Sequence, residues 1–179
     1  MTNARVPLAE SQATELLNRH GITQPPVPVD SLAEREQIDV RFSPLEDGVS
    51  ALLVLIPEAQ PVIAVNSAHH VNRRRFSVAH ELGHYEMHRD QSELFVDGAF
   101  VHFRDGKSTL AIDPQEIEAN AFAAALLMPA AFLEQDLGKK KYGSLEPKVV
   151  MALARRYKVS EQALKYRLVN LGFMPGLEE

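Results

Sequence analysis

Apolar residues recur every three or four positions at the start of the chain. Ala9, Ala13, Leu16 and Leu17 fall on one side of a helix predicted over residues 9–20, and Gly21 stops it. Gln24-Pro25-Pro26-Val27-Pro28 predicts an extended connector, because proline fixes φ and pushes the preceding residue out of the helical region. Asp30 predicts the N-cap of a short helix over 31–37. The period then changes. Ile38, Val40 and Phe42 alternate with Asp39 and Arg41, as in a half-buried strand. Two β-rich runs, 49–56 and 61–65, flank the turn residues 57–60 and predict a β-hairpin. Helical spacing returns over 71–88. Residues 94–103 predict one or two short strands broken near Asp97-Gly98, and Asp105-Gly106 marks a turn. Asp113-Pro114 reads as N-cap and first residue of a helix reaching Met128. Pro129 ends or restarts it, and a short helix follows over 130–137. A basic loop spans 138–143. Two further helices are predicted over 147–157 and 160–171, with Ser160 as N-cap and Gly172 as stop. The pattern gives an α+β fold, mostly helical. A small hairpin sheet packs beside the 71–88 helix, and the C-terminal helices resemble a helix-turn-helix.

Composition narrows the classes. The 179 residues are 45% hydrophobic, which suits one core of 1–138 with a helical segment, 139–179, packed on it. The longest apolar runs fall short of the roughly 18 residues that span a bilayer. No basic-then-apolar leader opens the chain. Cysteine is absent, so disulfides and thiolate-bound metals are excluded. A cytoplasmic protein without membrane contact is the expectation. The net charge of −5 is unevenly placed: residues 1–138 carry 10 Lys/Arg and 20 Asp/Glu, whereas 139–171 carry 9 and 2. A basic segment on an acidic body can meet nucleic acid or an acidic partner, or can be a solvated helix face.

The chemistry is concentrated in His80-Glu81-Leu82-Gly83-His84. Four residues apart on a helix, the histidines lie about 40° apart on one face, one turn above the other. Two imidazoles so placed can hold one tetrahedral zinc ion. Glu81 can stand beside that ion, where the general base for an attacking water belongs. A surface helix with two solvated histidines is the plain alternative. Against it, Phe76, Ala79, Leu82 and Gly83 form an apolar stripe beside the histidines. Gly83 costs helix stability, about 1 kcal/mol relative to Ala, so a small residue there suits the close approach of another segment. His88 continues the i, i+4 stripe; it can contact substrate or metal, or simply favour the helix C-terminus. His69 and His70 precede the helix and receive no role.

Catalytic zinc sites usually take three protein ligands. The best source of the third is the stretch Glu116-Ile117-Glu118-Ala119-Asn120, which opens an almost wholly apolar helix. Carboxylates entering a core need a partner. Glu116 and Asn120 share a face, so Glu116 can be the ligand and Asn120 can hydrogen-bond a ligand histidine. Glu118 is the alternative ligand. Glu116 can also serve as capping-box partner of Asp113.

The pentapeptide with its preceding Arg75-Phe76-Ser77-Val78-Ala79, then Glu116-x-x-Ala119-Asn120-x-Phe122-Ala123-x-x-Leu126-Leu127-Met128-Pro129, resembles the ImmA/IrrE metallopeptidases. Pro26-Val27-Pro28-Val29-Asp30, Ile63-Ala64-Val65-Asn66 and Tyr157-Lys158-Val159-Ser160 followed by Ala163-Leu164, Arg167-Leu168 and Leu171-Gly172 fit as well. The likeness extends over roughly 9–173. It implies a bacterial or phage zinc peptidase of the gluzincin kind, with one Zn2+ per chain. By position, His80, His84 and Glu116 match the ligands and Glu81 the general base. It also implies a protein substrate, a helix-turn-helix (XRE-like) repressor, whose cleavage relieves repression of stress-response or mobile-element genes. Tyr85 and His88 are further candidates for substrate contact, and the hairpin is expected to offer an edge strand to an extended substrate. A non-catalytic zinc protein, acting as repressor partner or DNA-binding regulator, is the competing reading. The intact Glu81 favours the peptidase.

Overall fold

The computed structural model describes residues 4–91, 94–97, 113–138 and 145–176. The predicted break near Asp97-Gly98, the Asp105-Gly106 turn and most of the basic loop lie outside them.

Helix α1 (Val6–Arg19) buries Ala9, Ala13, Leu16 and Leu17, the four residues whose spacing predicts it. Gly21 follows with φ +65°, a conformation that costs glycine nothing. Helix α2 (Val29–Arg35) begins two residues before the predicted start, so Asp30 lies in its first turn and Pro28 holds the cap position. Strand β1 (Asp39–Ser43) follows, then the hairpin of β2 (Ala51–Val54) and β3 (Val62–Asn66). β2 and β3 pair antiparallel, Ala51 opposite Val65 and Val54 opposite Val62. β4 (Leu94–Asp97) adds antiparallel to β2, and β1 runs parallel to β3.

The sheet order is therefore β1-β3-β2-β4. This corrects one expectation. The hairpin is the interior of the sheet, with β1 along one flank and β4 along the other, so neither of its strands offers an edge. Sequence periodicity marks a strand's faces, not its neighbours.

Helix α3 (Val71–His88) lies on β2 and β3 and is the hub of the fold. Asn66, where β3 ends, fixes the approach: its amide donates to Val49 O at 3.0 Å and accepts from Ala68 N at 3.1 Å. His70 caps the helix, its Nδ1 accepting from Asn72 N at 3.2 Å. Helix α4 (Pro114–Leu127) packs along α3 and α1, and α5 (Ala130–Leu137) restarts after Pro129. No single helix among the described residues is long and apolar enough to cross a membrane. α4 and α5 together are apolar enough but meet at a 41° bend. Beyond Asn120 α4 carries only apolar residues because that part is internal: Phe122, Leu126 and Leu127 are fully buried.

Helices α6 (Pro147–Tyr157) and α7 (Glu161–Asn170) join the same core through Val150, Leu153, Tyr157, Leu164 and Leu168. Polar ties reinforce this. Asn72 donates to Val159 O at 3.1 Å, Tyr157 to Asp136 at 2.9 Å, and buried Arg167 to Met128 O at 3.2 Å while pairing with Glu10. Lys148, Arg155, Arg156 and Lys158 remain exposed.

Candidate metal centre

Two helices build the centre. α3 supplies His80, Glu81 and His84, all 0–1% exposed. α4 supplies Glu116 from its first turn. Asp113 starts α4 by accepting from Gln115 N at 2.9 Å, which sets where Glu116 enters. The two helices come close because position 83 is glycine: a Cβ there would stand 3.1 Å from Ala119 Cα and 3.1 Å from Phe122 Cβ. The backbones thus approach closely next to His84 and within one turn of His80.

The result is a convergence of three donors. His80 Nε2 and His84 Nε2 are 3.0 Å apart. Glu116 Oε2 lies 3.3 Å from the first, and Glu116 Oε1 lies 3.2 Å from the second. Ligands at 2.0–2.1 Å around a tetrahedral ion stand about 3.3 Å from one another, so the spacing fits a metal of that size. His80, His84 and Glu116 form a group that could hold a metal ion. Its open side is at Glu116, 31% exposed against 1% and 2% for the two imidazoles.

The electrostatics agree with that use. Burial, with His80 and His88 nearby, lowers the His84 pKa against the pull of Glu116, which favours the neutral imidazole that metals bind. For Glu116 burial acts to raise the pKa. Hydrogen bonds and charge from His80 and His84 override it and hold the carboxylate well below its usual range. A cation entering the basin would displace the ring protons that face Glu116 and meet one carboxylate and two imidazole nitrogens.

Around these donors stand residues that sequence placed with less certainty. Asn120 Oδ1 is 3.1 Å from His80 Nδ1, on the far side of the ring from the basin. His88 does not end the helix in solvent; it is 1% exposed, with Nδ1 3.2 Å from His84 Nδ1 and Nε2 2.9 Å from Glu118 Oε2. Glu118 is not drawn into the donor group. It is buried behind it, bonded to His88 and to Arg5. Tyr85 is half-buried, its ring 5.0 Å below the Arg89 guanidinium. The arrangement around Arg5 and Glu118 escaped sequence reasoning because the two are 113 positions apart. The one local signal was a carboxylate at the head of an apolar helix.

A buried helix bearing two histidines, a carboxylate from a second helix and a small mixed sheet define a metallopeptidase-like domain. The chain belongs to the family described as Peptidase_M78, IrrE N-terminal-like domain, whose sequence pattern matches residues 33–169. The fold is similar to that of a Mycobacterium tuberculosis transcriptional regulator, with a TM-score of 0.58 at 20% identity. The similarity covers 90% of this chain and 46% of that one, so this chain spans about half the regulator's length. No curated protein matches the chain in sequence.

Proposed function

We propose that this protein is a zinc-dependent, site-specific endopeptidase that cuts a helix-turn-helix repressor. The observation that carries the reading is the convergence of His80, His84 and Glu116 beside a buried Glu81 in a chain of the Peptidase_M78 family. The three donors would hold the ion, leaving a fourth position on the open side as catalytic zinc sites do. When bound, zinc supplies Lewis acidity, acidifying water and polarising a carbonyl. Glu81, one residue along α3 from His80, takes a proton from the attacking water. As the C–N bond breaks, Glu81 passes that proton to the leaving nitrogen. Asn120 holds the His80 ring with Nε2 facing the basin. An extended substrate adds to the outer strand β4, which packs on α3.

Two things support a regulatory substrate over general digestion. One is the family. The other is the fold shared with a transcriptional regulator of Mycobacterium tuberculosis. The exposed Lys148, Arg155 and Arg156 of α6, with Lys158 at its end, offer a docking face for an acidic partner. The domain acts in the cytoplasm, where such repressors work.

The test is co-expression of the protein with helix-turn-helix regulators encoded beside it, reading cleavage by mass spectrometry. Wild type should yield one cut. Glu81→Gln, nearly isosteric, should keep fold and metal and lose cleavage by at least 100-fold. Cleavage that survives Glu81→Gln overturns the mechanism. Stable partner binding without any cut would favour a non-catalytic zinc regulator.

A further inference from the structure

Behind the donor group a line of buried polar side chains runs away from the basin, and beyond His84, where it starts, the mechanism above uses none of it. His84 Nδ1 meets His88 Nδ1 at 3.2 Å. His88 Nε2 meets Glu118 Oε2 at 2.9 Å. Glu118 in turn accepts three hydrogen bonds from Arg5: from the backbone N–H at 2.7 Å and Nε at 3.1 Å on Oε1, and from Nη2 at 2.9 Å on Oε2. His84 and His88 are 1% exposed and Glu118 3%. Three elements meet here: α3, α4 and the residue that precedes α1.

The geometry allows one arrangement of protons if His84 binds a cation through Nε2. That nitrogen must offer a lone pair, so the ring proton is on Nδ1 and points at His88. Two N–H groups cannot face each other at hydrogen-bond distance, so His88 Nδ1 is bare and accepts. Its proton is then on Nε2 and is donated to Glu118. The carboxylate accepts it and is kept anionic by a guanidinium and a peptide N–H. Every donor has an acceptor, and the direction is uniform from the ligand outward. A single carboxylate usually orients a metal-bound histidine directly. Here a second imidazole carries that influence one residue further.

We propose that His88, Glu118 and Arg5 form a positioning chain for the metal ligand His84, anchored on the segment before α1. His88 and Glu118 fix the tautomer and ring plane of His84 and raise its basicity as a ligand. Arg5 lies outside the stretch matched by the family pattern, residues 33–169, so this chain extends the metal site beyond that stretch. The inference rests on the metal-site reading above.

The experiment has two arms, both with readouts other than turnover. In the first, zinc affinity is measured by competition with a chromophoric chelator for wild type, His88→Phe, Glu118→Gln and Arg5→Met, with melting of each metal-free protein alongside. His88→Phe should bind zinc about 10–100-fold more weakly while its metal-free melting curve stays close to wild type. Glu118→Gln keeps an acceptor for His88 and should lose less, and Arg5→Met least. In the second arm, the ring nitrogens of zinc-loaded wild type are assigned by 15N NMR. His88 should carry its proton on Nε2 and none on Nδ1. A proton on His88 Nδ1, or zinc affinity in a folded His88→Phe within twofold of wild type, overturns the chain. Should His88→Phe fail to fold, the NMR assignment alone decides. Wild type that binds no zinc would overturn the metal-site reading itself, a result distinct from either of those.

Discussion

Gly83 shows how one side chain's absence positions a site. An added methyl would meet α4 backbone and Phe122 Cβ at 3.1 Å, closer than such contacts normally come. Gly83→Ala would gain about 1 kcal/mol of helix propensity. It would lose about 1–3 kcal/mol to overpacking between two rigid helices. Net destabilisation on the order of 1 kcal/mol is expected in urea unfolding of the metal-free protein. Metal affinity should fall too, because α4 carries Glu116. Glu118 makes a different residue-scale prediction. Its hydrogen bond with Arg5, aided by His88 and opposed by burial, brings its pKa from 4.5 down to about 2. A carboxylate whose folded pKa is depressed stabilises the protein fully above its unfolded value. That stability is lost as pH falls through the folded value. The contribution should therefore fade between pH 4.5 and about 2. It amounts to at most about 3 kcal/mol, and less because Arg5 is half in water. Glu118→Gln should flatten the pH dependence of unfolding in that window while leaving its shape near pH 7 unchanged.

The elements divide the labour of placing the donors. α3 carries two of them at i and i+4, so their relation is intrinsic to the helix. α4 must deliver the third at the right height, and its start is set by Asp113 and Pro114. Asp113→Ala removes the bond to Gln115 N and should cost about 1 kcal/mol in thermal or chemical unfolding. Because fraying begins at the turn that holds Glu116, zinc affinity should weaken as well. Ser160, which caps α7 in the same way, lies in the C-terminal pair. The hairpin's role is also decided at this level. Its residues read as strands from their pattern, yet β1 and β4 occupy both of its flanks, so it serves as a floor for α3.

For the molecule as a whole, α3 and α4 form the packed centre, and the candidate metal site joins the interior of α3 to the first turn of α4. A ligand that binds only the folded state stabilises it by mass action, about 2.7 kcal/mol at 100 times its dissociation constant. Removing metal with a chelator should then lower the melting temperature by roughly 5–10 °C for a chain of this size. Readdition of zinc should restore it. Glu116→Ala should show little of this metal-dependent shift. The C-terminal helices share the core through Tyr157, Leu164 and Leu168, and Arg167 ties α7 to α1 and to the end of α4.

Much of this was legible in the chain alone. The bounds of α3, α5 and α6 follow from apolar spacing and from Pro, Gly and capping residues, because these act over one or two turns. The pairing of His80 with His84 was legible for the same reason: helix geometry fixes it without reference to anything distant. The choice of Glu116 over Glu118 as neighbour of the histidines was only half-legible. Both carboxylates lie in one helical turn, and which one meets α3 depends on how α4 is rotated against it. Tertiary packing alone decided that rotation, through the contact at Gly83. It alone buried His88, put β1 and β4 on either side of the hairpin, and brought Arg5 to Glu118. Those outcomes depend on contacts between residues far apart in sequence, which local periodicity does not encode.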